Sequence, residues 1–213
     1  MKKQGKQLLR VGFLMIMLFI LWTGLVQTVD VQPIGPKGTE IGFAALNGWV
    51  HELTGVHTAI YTLTDWLGLI PVFVCMGFGL VGFLQMVRRK SLLKVDRDLL
   101  LLGVYYLIVL FAYLFFEVFP INYRPILIGG RLEASYPSST TLLVLSVMPT
   151  FAFQISRRLK KEMIRKLAKF FTIGFSAFMV IGRLISGVHW ITDILGGILL
   201  SMGLFCIYRG LVL

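Results

Sequence analysis

His189 and Asp193 stand four residues apart, a spacing that puts two side chains on one face of a helix and in contact. A carboxylate that accepts from the imidazole Nδ1–H orients the ring, raises its basicity and leaves Nε2 free, as a histidine nucleophile requires. Such a pair alone is as much a structural contact as a catalytic one. Arg183, six residues upstream, and Arg124 change that balance. Two guanidinium forks around a histidine suit a phosphoryl group, whose charge is stabilised at its oxygens during transfer. Tyr136-Pro137-Ser138-Ser139-Thr140-Thr141 adds a helix start, where proline fits the first turn. The hydroxyls and free N–H groups near Ser138 and Ser139 make either an anion cradle at the positive end of that helix or an ordinary Ser/Thr cap. No Walker loop, GxGxxG or metal-ligand cluster occurs in the chain. The chemistry these residues suggest needs no cofactor and no metal.

The elements that must position these residues belong to a membrane protein. The 213 residues are 57% hydrophobic and 15% charged, with mean hydropathy +0.83, against about 25% charged residues in soluble domains. This excludes a water-soluble globule and a disordered chain. The net charge of +11 is what cytoplasmic loops confer, so it implies no nucleic-acid partner. A crossing helix needs about 20 mostly apolar residues. Six stretches meet this, 11–27, 66–87, 99–119, 138–156, 168–186 and 190–208, predicting an all-α, polytopic fold that takes residues 1–213 as one domain. The first follows Met1-Lys2-Lys3, yet Trp22-Thr23-Gly24-Leu25-Val26-Gln27 offers no small-x-small cleavage site, so it reads as a retained helix.

Seventeen of the 21 cationic residues fall on one side of these spans. They are Lys2, Lys3, Lys6 and Arg10 before the first span, and Arg88, Arg89, Lys90, Lys94 and Arg97 after the second. Arg157, Arg158, Lys160, Lys161, Arg165, Lys166 and Lys169 follow the fourth, and Arg209 the sixth. The positive-inside rule makes that side, with both termini, cytoplasmic and places the histidine–arginine cluster outside, on a multi-pass protein of the cell membrane. The basic loops themselves read as topology signals that contact anionic membrane lipids. The one long outer connection, 28–65, starts with Pro33, Gly35, Pro36 and Gly38. Phe43, Leu46, Val50 and Leu53 then recur at helical spacing, predicting a short interfacial helix over about 41–54 with Trp49 at headgroup depth and Asn47, His51 and Glu52 largely off the stripe. His51 and His57 read as solvated or interfacial side chains.

The order and spacing of these polar residues resemble the type 2 phosphatidic acid phosphatase (PAP2) superfamily of integral-membrane lipid phosphatases. Its pattern is Lys-x6-Arg-Pro, then Pro-Ser-Gly-His, then Ser-Arg-x5-His-x3-Asp. Arg124-Pro125, Pro137-Ser138 and Arg183…His189…Asp193 match it in this chain. The resemblance implies six spans in a PAP2-like bundle, a lipid phosphate or prenyl diphosphate substrate, such as phosphatidic acid or undecaprenyl diphosphate, and a phosphohistidine at His189. Asp193 would orient that histidine, with Arg124, Arg183 and the N–H groups near Ser138 and Ser139 holding the oxygens. Three positions depart from the pattern: Glu117 stands where the family has lysine, Ser139-Thr140 where it has Gly-His, and Gly182 where it has serine. The resemblance would make the lost histidine the proton donor to the leaving oxygen, a role worth ~10²–10⁴ in rate. Thr140 can donate a hydrogen bond but not act as that acid. Glu117, seven residues before Arg124, either pairs with it or is protonated near the membrane. Two readings follow: an active phosphatase that favours a prenyl diphosphate, whose leaving group needs less protonation, or an impaired PAP2-like protein that binds, senses or transports a lipid phosphate.

The remaining features receive packing roles. Gly77, Gly79, Gly82, Gly196 and Gly197 are expected to allow close helix approach, Trp66 and Trp190 to sit at interfaces, and Pro71 and Pro149 to kink their spans. Cys75 and Cys206 read as small buried side chains, and Asp65 and Asn122 lie near the outer face.

Overall fold

The computed structural model describes residues 3–213; Lys2, counted above with the basic residues, lies outside them. Eight helices follow in order: α1 (Lys3–Thr28), α2 (Ala44–Thr54), α3 (Thr58–Leu67), α4 (Leu69–Arg89), α5 (Arg97–Val118), α6 (Ser139–Arg158), α7 (Glu162–Ile185) and α8 (Ile191–Val212). Six stretches among the described residues are long and apolar enough to cross a membrane, with α3 and α4 together forming one of them, Thr58–Arg89. α1 and α7 begin earlier than hydropathy suggests, at Lys3 and Glu162. Basic side chains at a helix end can reach out to water while their backbone stays helical.

α8 is the central helix, packing against α1, α5, α6 and α7. Glycines set its approach to α1. A Cβ added at Gly12 would lie 2.9 Å from the Gly203 carbonyl oxygen, and one at Gly210 would lie 3.0 Å from that of Gly5. Small residues let two backbones meet closely where dispersion, not the hydrophobic effect, drives helix association. Gly196 and Gly197 behave as expected, against the Tyr136 ring and Thr141. Gly77, Gly79 and Gly82 do not: each meets nothing within 4 Å, because only 6% of the α3–α4 span is buried. Cys75 and Cys206 are half-buried rather than buried.

The second span breaks at Gly68, ahead of Pro71. The Gly68 N–H donates to the carbonyls of Thr64 and Asp65, and a Cβ there would lie 2.9 Å from the Asp65 oxygen. α3 thereby ends with its own face turned to α7. α2 has two faces. Ala44, Asn47 and Val50 pack inward, whereas Leu46, Trp49 and Leu53 are exposed. The predicted single stripe is therefore divided, and Asn47 belongs to the packed side. The connection from α5 to α6 folds back on itself, pairing Tyr123 with Ala134 and Ile128 with Arg131 around Gly129 and Gly130, both at positive φ. At the basic end, Asp96 accepts from Arg89 at 2.8 Å and Asp98 from Arg158 at 2.9 Å, tying α4, α5 and α6 together.

Candidate active site

Three segments converge at the opposite end: the α5–α6 hairpin with Arg124, the last turn of α7 with Arg183, and the α7–α8 loop with His189. That loop is held from the α2–α3 turn. Gly187 has φ +69, and a Cβ there would run into the Gly55 carbonyl. The His57 N–H donates to Ser186 O at 3.1 Å. His51, half-buried, sets its ring 5.5 Å from that of Trp190, which is buried rather than exposed. The Trp190 indole N–H donates to Tyr123 O at 2.8 Å. Asn47, fully buried, donates to Gly42 O at 2.7 Å and to Thr192 Oγ1 at 3.0 Å.

His189 precedes α8 rather than riding on it, which corrects the expectation of a shared helix face. Its Nδ1 still lies 3.7 Å from Asp193 Oδ2, too long for a hydrogen bond. Asp193 Oδ2 instead accepts from the Trp190 N–H at 2.9 Å, capping α8, and Oδ1 accepts from Asn122 Nδ2 at 3.3 Å. The carboxylate is thus fixed from two sides with the imidazole beside it.

Both arginines are buried, Arg183 at 1% exposure and Arg124 at 9%, and His189 at 3%. Arg124 Nη1, Arg183 Nε and both imidazole nitrogens of His189 lack hydrogen-bond partners, while Arg124 Nε has only its ion-pair contact with Glu133. Buried donors are rarely left so, because each costs its desolvation. Burial first, and then the charges of Arg124 and Arg183, hold the His189 imidazole well below the ordinary histidine range, against the Ser135 backbone. The ring is neutral, as a nucleophile must be.

Each arginine also has an acidic neighbour. Arg124 Nε lies 3.1 Å from Glu133 Oε2 across the hairpin. Glu117, proposed from sequence as its partner, is exposed and lines a narrow crevice with Tyr113, Ser135 and Ser139. Arg183 is bracketed by α3: Nη1 donates to Thr64 Oγ1 at 3.4 Å, lies 3.7 Å from Asp65 Oδ1, and its Cζ sits 5.1 Å from the Tyr61 ring centre. Gly182 explains itself here, because a Cβ would lie 2.8 Å from Thr64 Cγ2. The space beside position 182 is filled by the Thr64 methyl group, while the Thr64 hydroxyl meets Arg183.

Ser138 caps α6, its Oγ accepting from Thr141 N at 3.5 Å while its own N–H donates to Asp193 O at 3.0 Å. Ser139 and Thr140, half-buried, help line a groove of about 640 Å³ between α4, α5 and α6. Its walls are apolar, from Leu69 and Val72 to Leu107 and Val147, and its polar lining adds Asp65. His189 lines neither groove nor crevice. Thr64, Glu133 and Asn47 were not picked out from sequence; the Gly129–Gly130 pair was the signal for the hairpin that presents Glu133.

The PAP2 superfamily model matches residues 74–212. No curated protein matches the chain in sequence. Among solved structures, the chain superposes on the first transmembrane PAP2 type phosphatidylglycerolphosphate phosphatase from Bacillus subtilis, with a TM-score of 0.69 and 16% identity, over 94% of this chain and 95% of that one.

Proposed function

Since the chain belongs to the PAP2 superfamily, we propose that it is a multi-pass membrane lipid phosphatase that hydrolyses a lipid phosphate or prenyl diphosphate through a phosphohistidine at His189. The observation that carries this reading is the set of unpartnered, buried N–H groups on Arg124 and Arg183 around a neutral, equally unpartnered His189. A phosphoryl group can accept from both guanidiniums while facing His189 Nε2, and an empty apolar pocket would not keep two buried guanidiniums.

In this reading Asp193 keeps Nδ1 turned toward itself and Nε2 toward phosphorus. The lone pair of Nε2 attacks while Arg124, Arg183 and the N–H groups at the start of α6 hold the non-bridging oxygens. Phosphate replaces Glu133 at Arg124, which opens the way to His189. The apolar groove takes the lipid chain. The basic loops at the other end favour a cytoplasmic location for them, with this site facing outward.

The test is phosphate release from a panel of lipid mono- and diphosphates by the purified protein in detergent, beside His189→Ala, with intact-protein mass measured after brief exposure to substrate. Release by wild type, none by the variant, and a phosphoryl adduct on His189 is the expected outcome. Equal background values with no adduct would leave a protein that only binds lipid phosphate, the reading that the departures at positions 117 and 140 favour.

A further inference from the structure

The phosphatase reading lacks one part: the histidine that would protonate the leaving oxygen is Thr140 in this chain. We propose, on the basis of that reading, that Asp65 on α3 is the catalytic group that delivers this proton.

The place of the leaving oxygen is set by the two groups it links. It joins the phosphorus, held by the arginines, to the lipid chain, held by the groove. It therefore sits where the groove lining comes to Arg183, at Asp65, which shares that lining with Ser139 and Thr140. Asp65 is the one carboxylic acid in the groove lining, and its side chain is 61% exposed, open to a ligand there. Oδ1 lies 3.7 Å from Arg183 Nη1, so a phosphoryl oxygen bound to that guanidinium comes within reach of the carboxyl group. Glu117 lines the crevice and not the groove, and Glu133 lines neither.

The placement is held by the fold. The break at Gly68 ends α3 one turn after Thr64 and Asp65, and Gly182 lets α3 close on α7. The same helix turn thus brings a hydroxyl to Arg183 and a carboxyl into the lining of the groove that Thr140 also lines. α3 lies outside the residues the family model matches, 74–212.

The proton balance closes. A phosphate monoester monoanion brings one proton. As the His189 nitrogen forms its bond to phosphorus, the bond from phosphorus to the lipid oxygen breaks and its electron pair stays on that oxygen. The substrate's proton passes through the Asp65 carboxyl group to the oxygen, releasing a lipid alcohol. Water then attacks the phosphohistidine. Its proton travels back through Asp65 to the departing phosphate, which leaves as dihydrogen phosphate and restores the neutral imidazole.

The experiment compares dodecyl phosphate with dodecyl diphosphate, which share a chain but differ in leaving group, using the full chain in detergent. Asp65→Asn is expected to lose ~10²–10⁴ in kcat on the monophosphate and less than ~10-fold on the diphosphate, whose departing phosphate needs little protonation. Retained diphosphate hydrolysis also reports that the variant is folded. Asp65→Glu, which keeps a carboxyl group, is expected to hold the wild-type ratio of the two rates within about tenfold. An equal fall on both substrates would make Asp65 only a partner of Arg183 and overturn the assignment, as would a selective loss in Glu117→Gln instead. A wild type that cleaves neither substrate and forms no adduct on His189 overturns the phosphatase reading, and this assignment with it.

Discussion

Acidification should destabilise the ligand-free protein through His189 in particular. In the unfolded chain a histidine takes up a proton near pH 6.5. In the fold, burial and two nearby guanidiniums keep the His189 imidazole well below that range. Below pH 6.5 the unfolded state therefore binds one proton more than the folded state at this position. Stability contributed above the unfolded value is lost as pH falls, at up to about 1.4 kcal/mol per pH unit. With the folded ring still neutral at pH 5.5, the loss between pH 6.5 and 5.5 integrates to about 1 kcal/mol. His51, also held down by burial, adds its own loss, but adds it equally to wild type and to a His189→Gln variant. The difference between the two proteins isolates His189. At this chain length about 1 kcal/mol corresponds to about 2–4 °C in Tm. Thermal unfolding of both proteins in non-ionic detergent, across pH 7.5 to 5.5, is the assay. The wild-type Tm should drop by that much more than the variant's, and inorganic phosphate should shrink the gap by offsetting the two arginine charges. Parallel decline of the two proteins would mean that His189 is not held neutral by its surroundings, and the nucleophile assignment would lose its physical basis.

Two further perturbations probe the parts that hold this histidine and its substrate. Arg183→Lys exchanges a planar fork for a point charge and gives up the contacts with Thr64 and Tyr61; kcat/KM for lipid phosphate should fall ~10²–10³, read as phosphate release. Asn47→Ala strips the buried partner from Thr192, at the start of the helix that carries Asp193, and from Gly42 O ahead of α2. It should cost about 1–3 kcal/mol, seen as a lower Tm at pH 7.5.

What could be read from sequence divides along a physical line. Span number, approximate ends and the His189/Asp193/Arg183 spacing are properties of a stretch of chain taken alone, since about 20 apolar residues suffice to cross a bilayer whatever stands beside them. Which face of a span meets protein is a property of pairs. Hydropathy gave no means of choosing between Gly77 and Gly203, one open to its surroundings and the other under Ile16. The alternation of Asn47 and Trp49 across α2 was hidden for the same reason, because both faces carry apolar residues. The i,i+4 spacing allows His189 a place on a helix, but with Trp190 as its cap the helix starts at Ile191, two residues too late.

α3 is the sharpest case. Thr58, Tyr61, Thr62, Thr64 and Asp65 are too polar for a hydropathy window to count, so these residues fell into the outer connection. Their polarity has a cause once α7 is beside them, because a buried guanidinium needs a hydroxyl, an aromatic face and a carboxylate nearby. Read along the chain, Gly182 and Thr140 are losses. Read across the bundle, Gly182 is the space that Thr64 occupies, and Thr140 shares its groove lining with Asp65. A departure from a family pattern at one position is thus weak evidence against activity until the neighbouring helix has been searched for a group that reaches the same point in space.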